Sequence, residues 1–123
     1  MICHYQQSSI HLTTVAARQP QLGHLPDLLK VLADPTRLRI VGLLAQRERC
    51  VCDLEDLLGI SQSMTSHHIG VLRRAHLLLQ RREERDARWA YYRLNPEAVE
   101  HLKVAFNGLL DLSGFDPTPA SCA

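Results

Sequence analysis

The stretch Cys50-Val51-Cys52-Asp53-Leu54-Glu55-Asp56-Leu57-Leu58-Gly59-Ile60-Ser61-Gln62-Ser63-Met64-Thr65-Ser66-His67-His68-Ile69 decides the reading of this chain. Its first half predicts a short helix after Cys52 that closes at Gly59, because glycine enters the left-handed cap conformation without a steric penalty. Ser61 is then a candidate N-cap, its hydroxyl accepting from an orphan N–H of the next turn. The helix it opens would turn Met64, His68, Ile69 and Leu72 inward. Its other face offers Gln62, Ser63, Ser66 and His67, short or planar hydrogen-bonding groups suited to base edges and phosphates, and Thr65 joins them as a candidate contact. Two helices joined by a turn of about four residues, the second polar at its start, have the form of a helix-turn-helix.

Outward from this centre the chain stays helical. Leu25, Leu28, Leu29 and Leu32 repeat at helical spacing and give a first core helix. Asp34-Pro35 reads as a cap followed by proline in the first turn, opening a second helix with Leu38, Val41, Leu44 and Ala45 on its apolar face. Beyond Leu72, the runs Leu77–Arg82 and Arg88–Leu94 are β-prone around a charged connector and predict a hairpin. Asn95-Pro96 opens a last helix in which Val99, Leu102, Phe106, Leu109 and Leu110 recur at three and four. The order is mainly α with a β-hairpin, a winged helix-turn-helix over residues 22–113. An N-terminal arm, 1–21, and a proline-bearing tail, 114–123, flank it.

Composition sets bounds on function. The chain has 123 residues, about one domain's worth, and 46% apolar residues, enough for one small core. The formal net charge is only +1, so attraction to nucleic acid must come from local clustering. Arg73, Arg74, Arg81, Arg82, Arg85, Arg88 and Arg93 face only Glu83, Glu84 and Asp86 over one segment. That surplus falls where a wing meets the DNA backbone or minor groove, with Arg73, Arg85 and Arg88 as the contacts of first choice. No run reaches the roughly 18 apolar residues of a membrane span. The first residues lack the basic-then-apolar pattern of a secretory signal, which suggests a cytoplasmic protein. Four cysteines in that setting argue for thiol or metal chemistry over disulfides.

Cys50 and Cys52 lie about 200° apart on a regular helix, so they converge only if the first lies outside it or the first turn distorts. The helix dipole, with Arg47 and Arg49 nearby, is expected to favour thiolate there. Thiolates select soft ions such as As(III), Cd(II), Pb(II), Zn(II) or Cu(I). Two ligands are too few for any of the trigonal or tetrahedral sites. Nothing in the chain suggests an enzyme: there is no Cys-x-x-Cys on a strand-to-helix turn, no parallel-sheet pattern and no Gly-rich phosphate loop.

Arg49-Cys50-Val51-Cys52-Asp53-Leu54, Ser61-Gln62 through Ser66-His67-His68-Ile69, and Trp89-Ala90-Tyr91-Tyr92-Arg93-Leu94 together closely resemble the ArsR/SmtB family of metal-sensing repressors, from about Leu25 to Leu112. The resemblance implies a homodimer joined through its first and last helices. It also implies binding to double-stranded operator DNA when empty and release when an ion binds the thiols. The Cys-Val-Cys-Asp-Leu string is similar to the arsenic- and cadmium-sensing branches. It implies As(III) or Sb(III) as first-choice inducer, with Cd(II), Pb(II) or Zn(II), or a thiol-redox signal, as alternatives. Enterobacterial-type arsenic sensors carry a third cysteine one turn on, where this chain has Glu55. The cadmium-type branch completes its site from the N-terminal arm, which implies Cys3 as the third ligand ahead of Cys122. Glu97 and His101 lack the second donor pair of a zinc-type site and are read as surface residues. No membrane, protein substrate or organic cofactor is expected.

Overall fold

A computed structural model describes residues 23–86 and 88–122. Its elements run α1 (Leu25–Leu32), α2 (Pro35–Leu44), β1 (Arg49–Cys50), α3 (Val51–Leu58), α4 (Gln62–Arg74), β2 (Leu78–Arg82), β3 (Ala90–Leu94) and α5 (Pro96–Leu109). This is the helical fold with a hairpin that the sequence predicts, with one addition. Residues 49 and 50 form an edge strand, giving an antiparallel sheet in the order β1-β3-β2. Two residues of extended chain carry too little periodic signal to be read as a strand.

Caps place the helices. The Asp34 carboxylate accepts from the N–H groups of Thr36 and Arg37 at 2.8 and 3.0 Å, so α2 starts beside Pro35. Gly59 closes α3 at φ 68°, its N–H bonded to the Glu55 carbonyl. The Ser61 hydroxyl accepts from the Met64 N–H at 3.1 Å and opens α4. The turn between α3 and α4 is therefore Gly59, Ile60 and Ser61, one residue shorter than expected. Asn95 opens α5 by accepting from the Glu97 N–H.

The core lies where α2, α3 and α4 meet the sheet. Ile40, Leu44, Leu54, Leu58, Ile69, Leu72, Leu77, Leu78 and Tyr92 form one buried cluster. The apolar faces of α2 and α4 differ from expectation. On α2 the buried residues are Ile40 and Leu44, while Leu38 is 53% exposed. On α4 the inward positions are Thr65, His68, Ile69 and Leu72, spaced at three and four; Met64 is 48% exposed and Thr65 is wholly buried. Hydrophobicity favours Met64 as the core residue. Packing chooses Thr65 because its hydroxyl donates to the Ser61 carbonyl at 2.9 Å, so its burial leaves no polar atom unpaired.

No side chain of α5 is fully buried, and Val104, Leu109 and Leu110 are exposed, as is Leu29 of α1. A groove of about 780 Å³ runs between α1 and α5, with Leu28, Val31, Leu102 and Ala105 among its walls. Among the described residues no helix is long and apolar enough to cross a membrane.

Candidate metalloid and nucleic-acid sites

Cys50 and Cys52 come from different elements. Cys50 is the N-cap of α3, with extended backbone (φ −88°, ψ 171°), and it also pairs with Tyr91 as part of β1. Cys52 sits in the first turn of α3. The convergence condition read from helix geometry is met in its first form: the leading cysteine lies outside the helix. The two thiols lie near enough for Cys50 to help raise the Cys52 pKa, and both are free.

The electrostatics differ from expectation. Cys52 is held above the ordinary thiol range, not below it. Although the side chain is exposed, partial desolvation contributes most; the Cys50 thiol and the carboxylates of Glu55 and Asp56 add to it. Arg49 gives no relief, because its guanidinium turns away to the Leu43 carbonyl and the Gln46 side chain. Desolvation first, then the neighbouring Cys50 and the acids of α3, sets the direction of the shift.

The pair opens onto a cavity of about 510 Å³ whose other walls are Gln62, Arg82, Arg88, Trp89, Ala90 and Tyr92. The first residue of α4 and the inner side of the hairpin therefore share one space with the thiols. Among the described residues no group of three or more His, Cys, Asp or Glu side chains is placed to hold a metal ion. Glu55 thus does not stand in for a third thiol. Cys122 is disulfide-bonded, which departs from the expectation of thiols throughout, and Cys3 lies outside the described residues.

Of the expected nucleic-acid contacts, Gln62, Ser63, Ser66 and His67 are exposed along the start of α4, and Arg73 is exposed at its end. Thr65 is a correction: wholly buried and bonded to Ser61, it cannot present its hydroxyl to a base. His68 packs inside at 6% exposure, where its Nδ1 lies 3.2 Å from Arg37 Nη1. The hairpin tip lacks glycine, and Asp86 shapes it instead. The Asp86 carboxylate accepts from the Arg88 backbone N–H and from its guanidinium, at distances down to 2.8 Å, while the Trp89 N–H donates to the Asp86 carbonyl. Arg85 is exposed at the same tip. Arg81, on β2, is held by Glu48. Two of the arginines counted as a basic surplus are thus already paired.

A family model described as "Bacterial regulatory protein, arsR family" matches residues 34–78, which span α2, both helices of the helix-turn-helix and the start of the hairpin. The Arsenic resistance transcriptional regulator ArsR1 of Pseudomonas putida is 38% identical over 96 residues, 72% of this chain and 73% of its own. The chain belongs to the arsR family. It is therefore a DNA-binding transcriptional regulator. The Arsenical resistance operon repressor of Escherichia coli is 49% identical over 71 residues, 57% of this chain and 58% of that protein. The crystal structure of a "Possible transcriptional regulator for arsenical resistance" superposes with a TM-score of 0.58 at 38% identity, covering 66% of this chain and 81% of that one. These arsR-family neighbours share the winged-helix architecture.

Proposed function

We propose that this protein is a repressor that binds operator DNA and releases it when a thiol-seeking metalloid, As(III) or Sb(III), binds Cys50 and Cys52. One observation carries the reading. Two free thiols from separate elements converge on a cavity whose opposite walls are Gln62 of the reader helix and Arg82, Arg88 and Trp89 of the wing. Arsenical-resistance repressors among the relatives support the same signal.

Proton balance at protonated thiols favours a metalloid hydroxide over a divalent cation. Arsenous acid exchanges each hydroxyl for a thiol sulfur, and the thiol proton leaves with it as water, so no net proton is released. Cd(II), Pb(II) or Zn(II) must instead displace the thiol protons into solution and bears the full cost of the raised pKa. Two sulfurs leave a trigonal site one short, and in the reduced protein, with the Cys122 disulfide opened, Cys3 of the N-terminal arm is the proposed third ligand. The exposed apolar faces of α1 and α5 fit a homodimer, which would set two reader helices against successive major grooves of a palindromic operator.

The test is titration of a reduced protein–operator complex with arsenite, followed by fluorescence anisotropy of the DNA. Release is expected from the wild type and not from a Cys50→Ser, Cys52→Ser variant. Release equal in both would overturn the reading. With both ions offered to the reduced protein, arsenite should occupy the thiols ahead of Cd(II); occupation by Cd(II) ahead of arsenite would assign the site to divalent cations.

A further inference from the structure

Cys50 belongs to two elements at once, and that makes it a junction. As N-cap it sets the start of α3; as the last residue of β1 it lies directly opposite Tyr91 on β3. Tyr91 in turn lies opposite Arg81 on β2. The Arg81 guanidinium stacks on the Tyr91 ring at 4.6 Å from its centroid. It then reaches across the sheet to Glu48, two residues before Cys50, with Nη2 to Oε1 at 2.7 Å and Nε to Oε2 at 3.3 Å. The contacts close a ring: Cys50, Tyr91, Arg81, Glu48 and back along the chain to Cys50.

We propose that Glu48 and Arg81 are positioning residues that carry ligation at the thiol pair into the wing. The inference rests on the sensing reading above and extends it by naming the route. A two-residue edge strand has few backbone bonds of its own to hold it on the sheet. Drawing Cys50 towards an ion would peel β1 away from β3 and leave the hairpin where it was. The bidentate Glu48–Arg81 pair prevents that, so the base of the wing must follow β1. A bidentate fork fixes direction as well as distance, which a single-point contact does not.

The reader helix is the stiffer path. Thr65, His68, Ile69 and Leu72 lock α4 into the core, and Arg37 bridges His68 to the N-cap of α2. The wing tip is exposed at Glu84, Arg85, Arg88 and Trp89 and is tied by bonds local to the loop. Force applied at Cys50 therefore moves the wing before it moves α4.

The experiment compares wild type, Glu48→Gln and Arg81→Lys, all reduced. Operator affinity is measured with and without arsenite, and amide exchange of residues 82–90 is measured without DNA. In the wild type arsenite should weaken operator binding by a factor of about 5–150, an ordinary coupling range, and should accelerate exchange in the wing. Glu48→Gln should bind arsenite within about twofold of wild type, yet lose most of the coupling factor and all of the exchange response; Arg81→Lys should fall between, since it keeps one of the two contacts. Undiminished coupling in Glu48→Gln, or a wild-type wing that ignores arsenite while the operator is still released, would overturn the route alone. An operator complex that arsenite leaves intact in every protein would overturn the sensing reading with it.

Discussion

Replacing Thr65 by valine tests which face of α4 reads DNA. Thr65 is wholly buried, its methyl is in the core and its hydroxyl donates to the Ser61 carbonyl at 2.9 Å. Valine keeps the volume and removes that bond. The Ser61 carbonyl retains its backbone partner, the Thr65 N–H at 2.9 Å, so no buried acceptor is orphaned. The cost should then be the net worth of one hydrogen bond, about 0.5–1.5 kcal/mol. In a domain of this size that lowers Tm by roughly 4–8 °C per kcal/mol, at fixed protein concentration. Operator affinity, corrected for the folded fraction, should stay within about twofold, well under the 1.4 kcal/mol that a tenfold change requires. Ser66→Ala, on the exposed face, should do the opposite: an unchanged melting curve and weaker operator binding. The assays are thermal melting by circular dichroism and anisotropy with a labelled operator. Thr65→Val that melts like wild type but loses operator affinity would refute the assignment of faces.

Leu54 is completely buried between the helices of the reader motif, so Leu54→Ala should cost about 2–5 kcal/mol in chemical denaturation; a loss under 1 kcal/mol would place it outside the core. Asp34 is held below its ordinary pKa, chiefly by the Arg37 backbone N–H. A carboxyl depressed in the folded state stabilises above its ordinary pKa, and that stabilisation is lost as pH falls through the folded value. Asp34→Asn keeps the cap geometry and removes the charge, so its melting temperature should fall less steeply than the wild type's between pH 6 and 3; parallel curves would contradict the assignment. Asp86→Asn should free Arg88 for the DNA backbone and steepen the plot of log affinity against log salt by about 0.9, the value of one added phosphate contact. An unchanged slope would show that Arg88 faces no phosphate.

The features legible in the sequence were those with local physical causes. Asp34-Pro35, Gly59, Ser61 and Asn95-Pro96 each solve a helix end within a few residues, and each does so in the structure. Helix geometry gave the condition for Cys50 and Cys52 to converge, and the structure meets it with Cys50 outside the helix. What escaped depended on neighbours far along the chain. Met64 outranks Thr65 in hydrophobicity, but Thr65 shares the face of Ile69 and Leu72, and its bond to Ser61 satisfies the buried hydroxyl. The strand at Arg49–Cys50 exists because β3 supplies its partners, about 40 residues on. Cys52 is surrounded by Cys50, Glu55 and Asp56, whose combined effect no single dipole argument anticipates. The Glu48–Arg81 pair, at a separation of 33 residues, had no sequence signal.

If ligation at Cys50 and Cys52 and grip on the operator are two states of one switch, arsenite and DNA must weaken each other by the same factor. Arsenite affinity should therefore be measured twice on the reduced protein, free and saturated with operator, alongside operator affinity with and without arsenite. The two ratios should agree within error and collapse to unity in Cys50→Ser. Equal arsenite affinity for free and operator-bound protein would show that the thiol pair and the DNA-reading surface are not coupled.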